Sequence, residues 1–311
     1  MMKITVLGCG AIGQLWLGYL QAKNHTKEHA VQGWQRSAEA APVRFTLQPP
    51  SEPDSASGPE RQYQVPCNDP HHLASSDCLL VTLKAGAVAP ALLPLLDKLS
   101  ASCTIVLLHN GMGSLSEQQL AQIQQPLLQG ITSHGALRYA PHSVRHTGYG
   151  ETHLGALNAA GQTRLDAITD VLNAALPPVT AHADIRPRLW HKLAVNCAIN
   201  PLTALQQCRN GALLSQQAEL QALCGETAAV MNAEGIAVSA EQLLAGVNQV
   251  IQATAENFSS MHQDITLQRA SEIDYITGYL IRRAQAHGLA VPHHQALYAA
   301  IKQLESAHAK R

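Results

Sequence analysis

The chain has 311 residues, 46% of them hydrophobic and 14% charged, with a formal net charge of −1. This length suits about two domains, and the apolar content excludes a largely disordered protein. The sequence has neither a basic stripe nor a basic amphipathic helix, so we expect no nucleic-acid or membrane partner.

The sequence also bears on location and metal binding. Its first apolar run is too short for a secretory signal, and no stretch reaches the roughly 18 apolar residues of a membrane span, so we expect a cytoplasmic protein. The 7 cysteines form no C-x-x-C pair, which favours reduced thiols. The i,i+4 pairs His25/His29 and His142/His146 have no third ligand nearby, and we expect no metal site.

The first half of the chain alternates strands with helical segments. Apolar runs predict strands at residues 3–7, 31–34, 78–83, 104–108 and 179–182, and helical periodicity predicts helices at 11–22 and 88–99. Residues 37–70 are rich in Ser, Pro, Glu and Gln; we expect irregular structure with one edge strand near 44–47. Short runs within 130–155 are expected to add strands to the same sheet. This alternation predicts a parallel sheet with right-handed crossovers.

The second half is almost wholly helical in its pattern. Helices are predicted at residues 189–205, 216–234, 240–257, 270–286 and 294–307. The predicted fold class is therefore α/β: a Rossmann-type parallel sheet with added strands over residues 1–183, and an all-α domain over 184–311.

A G-x-G-x-x-G motif follows the first strand and opens the first helix; it consists of Gly8, Cys9, Gly10, Ala11, Ile12 and Gly13. In such a motif the first glycine allows a tight turn, the second lets a pyrophosphate approach the backbone, and the third lets helix and strand pack closely. Free N–H groups at the helix N-terminus then face the phosphates. The alternative is a glycine-rich turn without a ligand.

The end of the second strand distinguishes NAD from NADP. An NAD site places a carboxylate there for the ribose 2′-hydroxyl, but this chain has Gly33-Trp34-Gln35-Arg36-Ser37. Arg36 is suited to a 2′-phosphate, although an ordinary surface arginine is the alternative. The predicted cofactor is NADPH.

Two further polar residues follow strands. Lys84 comes directly after the strand at 78–83, and Asn110 follows the strand at 104–108. Ligands of open parallel sheets bind beyond the carboxyl ends of the strands, so both residues are candidates for the nicotinamide end of the site. Each could instead be an ordinary loop residue.

The helix predicted at 189–205 carries a polar stripe. Lys192, Asn196 and Asn200 fall within an arc of about 80° on an otherwise apolar helix. A lysine in such surroundings has a lowered pKa and can release a proton near neutral pH. A solvent-facing stripe is the alternative. Spacing alone does not single out Asn257, Ser260 or Glu272.

Six motifs in order carry a resemblance to a known family: KITVLGCGAIGQLWL, VTLKA, HNGMG, LWHKLAVNCAINPLTAL, ATAENFSSMHQD and EIDYITGYLIRRAQAHGLAVP. Over essentially its whole length the chain resembles the 2-dehydropantoate 2-reductase (ketopantoate reductase) family. The resemblance implies reduction of ketopantoate to (R)-pantoate by NADPH, on the way to pantothenate and coenzyme A, in a monomer or homodimer. The polar segment 37–70 looks long for the family.

The resemblance also assigns roles to residues. It implies that Lys192 is the general acid and Glu272 its acidic partner, with the reaction in a cleft between the domains. It implies that the substrate is bound by Asn110, Asn196, Asn200 and Ser260, with Asn257 close by. It implies NADPH contacts from Arg36 and Lys84 beside the glycine motif and Asn110.

Two other functions are compatible with the motifs. A reductase of the same architecture could act on a different 2-keto or 3-hydroxy acid, without change to sheet or cofactor motif. A catalytically silent NADPH-binding sensor is the other alternative; it predicts loss of the acid and its partner, whereas Lys192 and Glu272 are both present.

Overall fold

The computed structural model describes residues 2–22, 29–36, 41–50 and 60–309. The chain divides into two compact units. The first comprises Met1–His109 and Leu115–Ile185, and the second comprises Arg186–Arg311 together with the short loop Asn110–Ser114.

A seven-stranded sheet forms the centre of the first unit. Its strands are β1 (Met2–Leu7), β2 (His29–Trp34), β5 (Cys78–Val81), β6 (Thr104–Leu108), β7 (Leu127–Thr132), β10 (Thr152–Ala156) and β11 (Val179–His182). Their order is β11-β10-β7-β6-β5-β1-β2. Neighbours from β7 to β2 pair in parallel, whereas β10 runs antiparallel to β7. The predicted parallel sheet with added strands is confirmed.

Helices cover both faces of this sheet. They are α1 (Ala11–Ala22), α2 (Pro70–Ala74), α3 (Ala85–Leu92), α4 (Glu117–Gln122), α5 (Ala159–Gln162) and α6 (Leu165–Ala175), with a 3-10 turn at Leu93–Lys98. One buried cluster includes Trp16 of α1 and Leu172 of α6, and another includes Val88 and Leu92 of α3. The helix predicted at 11–22 is confirmed, and the one at 88–99 begins earlier and ends as 3-10. The sequence analysis missed α4, α5 and α6.

A second, four-stranded sheet corrects three expectations. It consists of β3 (Val43–Gln48), β4 (Arg61–Val65), β8 (Gly135–Ala140) and β9 (Ser143–Gly148), in the order β4-β3-β9-β8. The strand near 44–47 is therefore an inner strand, and β8 and β9 do not join the main sheet. The irregular structure expected over 37–70 was wrong for β4, although residues 37–40 and 51–59 lie outside the described part. Pairing between β3 and β9, far apart in sequence, leaves no local signal.

Helix α1 also packs on the second sheet. It contacts all four strands, and a Cβ on Gly18 would lie 2.7 Å from Leu47 Cδ2, so the packing there needs a glycine. The Tyr19 hydroxyl lies 2.8 Å from His146 Nδ1, and His146 Nε2 lies 3.3 Å from His134 Nδ1. A buried polar cluster of Tyr19, His146 and His134 therefore joins α1 to the second sheet.

The described members of the two histidine pairs do not lie on helices. His142 lies in the turn before β9 with φ 59°, and His146 lies within β9. His25 lies outside the described residues. Within the described ranges, no group of three or more His, Cys, Asp or Glu side chains could hold a metal ion.

The second unit is helical. Its elements are α7 (Arg186–Gln206), α8 (Gln217–Ala233), α9 (Ala240–Ala253), α10 (Ser260–Thr266), α11 (Thr277–Ala286) and α12 (Pro292–Ala309), with 3-10 turns at Asn210–Ser215 and Ile273–Tyr275. Ser239 caps α9 through a reciprocal hydrogen-bond pair with Gln242. Two predicted boundaries were wrong: α9 ends before 257, and Glu272 precedes a 3-10 turn instead of lying within an α-helix. No described helix is long and apolar enough to cross a membrane.

Candidate active site

The glycine motif forms a turn between β1 and α1. Gly8 has φ +101°, a left-handed conformation that glycine adopts without steric strain. A Cβ on Gly13 would lie 1.8 Å from the Gly8 carbonyl oxygen, so close packing of helix on strand requires glycine there. A Cβ on Gly10 would meet no atom within 4 Å. Packing within the protein therefore does not demand Gly10, and its bare backbone is open to a ligand.

Neighbouring strands hold this loop in place. The Gly8 amide donates to the Trp34 carbonyl at 2.9 Å, and the Thr82 hydroxyl donates to the Gly8 carbonyl at 2.7 Å. Because β2, β1 and β5 are parallel neighbours, their carboxyl ends meet at one edge. Arg36 and Lys84 follow β2 and β5 at this edge, and both are exposed. The residues fit a dinucleotide phosphate group, with an arginine available for a 2′-phosphate.

In the second unit, α7 presents the predicted polar stripe. Lys192, Asn196 and Asn200 lie along one continuous helix whose other faces are largely buried. Asn200 is only 6% exposed, and Lys192 and Asn196 are half-buried. This burial favours the polar stripe within apolar surroundings over the solvent-facing stripe.

Lys192 and Glu272 interact electrostatically. Burial lowers the pKa of the Lys192 ammonium from 10.5 to about 8, and the negative charge of Glu272 opposes this shift. The Glu272 side chain is itself buried, at 8% exposure. A lysine with this pKa is mostly protonated at neutral pH and still able to release its proton. The burial of Lys192 supports the lowered pKa that the sequence predicts.

The segment that carries Glu272 is anchored to α12. Asp274 accepts hydrogen bonds from the Tyr298 hydroxyl at 2.6 Å and the Lys302 ammonium at 3.0 Å. The Ser271 amide donates to the Glu305 carboxylate at 2.8 Å. These contacts bracket Glu272 on both sides and fix the backbone from which it extends.

The loop with Asn110 docks on the same segment. The Met112 amide donates to the Tyr275 carbonyl at 2.8 Å. Gly111 has φ +76°, and a Cβ on it would lie 2.5 Å from that carbonyl oxygen, so glycine is required on both grounds. Asn110, at the end of the main sheet in sequence, therefore belongs structurally with the helices and with the Glu272 segment.

A buried hydrogen bond ties α7 to the start of α10. Thr203 Oγ1 lies 2.7 Å from Ser259 Oγ, and Ser259 caps α10 by accepting from the His262 amide at 3.0 Å. Ser260, the first residue of α10, is exposed. Asn257 is also exposed, and its carbonyl accepts from the Asn210 amide at 2.9 Å.

The structure thus brings Lys192 and Glu272 together, and links the Asn110 loop and α10 to the elements that carry them. Arg36, Lys84 and the glycine motif lie in the other unit, at one sheet edge. The sequence analysis missed Thr203, Ser259 and Tyr275, which position other residues. Thr203 falls in a quoted motif, and Ser259 has the pattern of a helix cap; the Tyr275 backbone carbonyl leaves no signal in the sequence.

Two family models match the chain. The model described as "Ketopantoate reductase PanE/ApbA" matches residues 4–159, and "Ketopantoate reductase PanE/ApbA C terminal" matches residues 184–305. A 2-dehydropantoate 2-reductase of Escherichia coli O157:H7 is 47% identical over 305 residues, which cover 98% of this chain and 96% of the relative.

Solved structures share the fold. A probable 2-dehydropantoate 2-reductase from Bacillus subtilis has a TM-score of 0.78 at 29% identity, covering 97% of this chain and 100% of that one. D-Mandelate dehydrogenase with NADH and anilino(oxo)acetate has a TM-score of 0.86 at 21% identity. The match covers 99% of this chain and 100% of that one. The last likeness concerns the fold alone. Family matches over both halves and 47% identity along nearly the full chain establish that this protein belongs to the ketopantoate reductase (2-dehydropantoate 2-reductase) family.

Proposed function

We propose that the chain reduces 2-dehydropantoate to (R)-pantoate with NADPH, in the cytoplasm, as a step of pantothenate and coenzyme A biosynthesis. The observation that carries the proposal is the pairing of Lys192 with Glu272 in a chain of this family. The seven cysteines are free thiols, which suits a reducing compartment. We further propose that residues 1–183 bind the cofactor and residues 184–311 supply the catalytic side chains.

NADPH, when bound, supplies the hydride. The G-x-G-x-x-G backbone, made of Gly8, Cys9, Gly10, Ala11, Ile12 and Gly13, would hold its pyrophosphate. Arg36 would bind the 2′-phosphate, and Lys84 and Asn110 would lie toward the nicotinamide. A guanidinium suits the phosphate because it donates two parallel hydrogen bonds to it.

Lys192 acts as the general acid. Its ammonium donates a proton to the carbonyl oxygen of the keto acid and stabilises the negative charge that develops there. With a pKa of about 8, it is protonated at neutral pH and yet a much stronger acid than an exposed lysine. Glu272 keeps it protonated by raising the pKa that burial lowers.

The amide side chains orient the substrate. Asn196 and Asn200 lie one and two turns along α7 from Lys192, on the same face. Their amides can pair with the carboxylate and hydroxyl oxygens of the keto acid. Ser260 and Asn257 flank the start of α10, and Asn110 adds a further amide. This set is suited to a small, polyoxygenated acid.

The test is oxidation of NADPH, followed by the loss of reduced nicotinamide absorbance, with ketopantoate as substrate and NADH in parallel. We expect rapid oxidation of NADPH and slow oxidation of NADH. We expect Lys192→Ala to lower turnover by about 10²–10⁴ and to leave NADPH affinity nearly unchanged, as for loss of a general acid. Near-normal turnover of this variant would remove Lys192 from the mechanism.

Reduction of another 2-keto or 3-keto acid is the second candidate, because the sheet and the glycine motif do not by themselves select the substrate. A panel of ketopantoate, pyruvate, acetoacetate and benzoylformate (the keto acid that corresponds to mandelate) separates the two. A higher kcat/KM for any of the others than for ketopantoate would overturn the proposed substrate.

A further inference from the structure

Two cysteines lie close together at the proposed cofactor loop. Cys9 is the second residue of the glycine motif, and Cys67 follows β4 in a segment bridged to Gly33 of β2. The two sulfurs lie 2.8 and 3.6 Å from the position that a Cβ on Gly33 would occupy. Gly33 therefore leaves the space in which the two sulfurs lie close together.

The surroundings of the pair make Cys67 the better nucleophile. Its hydrogen bond with Cys9 and nearby backbone amides lower the pKa of the Cys67 thiol, while the same hydrogen bond and burial raise that of Cys9. Cys67 is buried, whereas Cys9 is partly exposed and gives a small oxidant access to the pair. A thiolate beside a second thiol is the arrangement from which disulfides form.

The segment around Cys67 also supports the residues next to Arg36. The Gly33 amide donates to the Pro66 carbonyl at 2.9 Å, and the Gln35 amide donates to Asn68 Oδ1 at 2.9 Å. A covalent bond from Cys67 to Cys9 would therefore act on two parts of the proposed NADPH site: the glycine loop and the end of β2.

We propose that Cys9 and Cys67 form a reversible disulfide on exposure to peroxide, and that this bond weakens NADPH binding. The Cys67 thiolate attacks one oxygen of hydrogen peroxide, which breaks the O–O bond, releases hydroxide and leaves a sulfenic acid. The Cys9 sulfur attacks the sulfenyl sulfur, the S–S bond forms, and water leaves. In sum two thiols are oxidised by two electrons and one peroxide is reduced to two waters. The effect on the cofactor rests on the proposed function.

The test is peptide mapping of the full-length protein. The reduced protein is titrated with hydrogen peroxide, blocked with an alkylating agent and digested with trypsin without reductant. We expect a cross-link between the peptide that contains Cys9 and the one that contains Cys67. Because Cys78 shares that second peptide, Cys67→Ala assigns the link: it must vanish in this variant. Cys208→Ala, which removes the other partly exposed cysteine, must leave the link unchanged.

The second measurement is the Kd of NADPH, read from nicotinamide fluorescence before and after oxidation. We expect a rise of about tenfold, equivalent to one lost hydrogen bond, that dithiothreitol reverses and that Cys67→Ala does not show. A missing link at doses that modify Cys208, a link that survives in Cys67→Ala, or a link without a change in Kd would each overturn the proposal. Failure of the reduced protein to bind NADPH would overturn the proposed function, and the mapping would still decide whether the thiols pair.

Discussion

Burial and one neighbouring charge together set the protonation state of the proposed acid. Lys192 loses solvation on α7 and Glu272 restores part of its basicity from a different element, so the pKa near 8 is a balance of two opposed effects. Neither effect requires contact with the cofactor. The balance is therefore open to test in the protein by itself.

We expect Glu272→Gln to move the alkaline limb of the activity profile to lower pH. Reduction needs protonated Lys192, so kcat/KM falls as pH rises through about 8. Without the negative charge the pKa of Lys192 drops and the decline begins earlier. The measurement is kcat/KM against pH. Glu241→Gln is the matched control, because it removes an exposed carboxylate from the first turn of α9; the alkaline limb of this variant should stay in place. An unmoved limb in Glu272→Gln would contradict the role of Glu272.

Arg36 is the residue on which cofactor choice should depend. We expect Arg36→Ala to raise the KM for NADPH by about 10–100-fold, the effect of losing charge-assisted hydrogen bonds, and to leave the KM for NADH unchanged. Arg61→Ala, which removes an exposed arginine from β4, serves as the control. Equal weakening of both cofactors would show that Arg36 does not bind the 2′-phosphate.

At the scale of secondary structure elements, α7 contributes to the buried core of the second unit. The Thr203–Ser259 hydrogen bond fixes α10 to α7. We expect Thr203→Val to raise the KM for the keto acid more than it lowers kcat. Valine keeps the volume but leaves the Ser259 hydroxyl without this partner, and Ser260 shifts with α10. Thr203→Ser keeps the hydroxyl and should restore the KM. A positioning role would be ruled out if Thr203→Val lowered kcat without raising the KM. It would also be ruled out if Thr203→Ser showed the same change as Thr203→Val.

Elements that depend on local periodicity could be predicted from the sequence. The strand and helix around the glycine motif and the stripe on α7 are examples, because burial on one face leaves a regular pattern. The second sheet could not, since β4 (RQYQV) is largely exposed and polar, and β3 pairs with β9, which lies far along the chain. Likewise the proposed role of Glu272 depends on its interaction with Lys192, which lies 80 positions earlier in the chain. Spacing cannot reveal a pair of that separation.

At the scale of the whole molecule, buried histidines make stability depend on pH. His146 in the first unit and His294 in the second are fully buried, and burial lowers the pKa of each from 6.5 to about 4. Between these values the unfolded chain binds more protons than the folded one, so stability is lost as pH falls from about 6.5 to about 4.

We expect the free energy of unfolding to drop by about 2 kcal/mol for each of these histidines between pH 7.5 and pH 5. The measurement is denaturant unfolding, with fits to each unit where the transitions separate. The double variant His146→Gln/His294→Gln has glutamines that can hydrogen-bond but do not titrate. In this variant the drop in the free energy of unfolding should be smaller by the contribution of the two histidines. A drop of the parent's size would assign the pH dependence to other groups.

The position of α1 between two sheets has a consequence for how the chain is made. One face of α1 rests on a sheet that begins with β1, but the other needs β9, which ends at Gly148. While a ribosome is still adding the residues in between, Leu47 and its neighbours on β3 have no β9 to pair with. The packing of α1 is therefore completed only after nearly half of the protein has emerged.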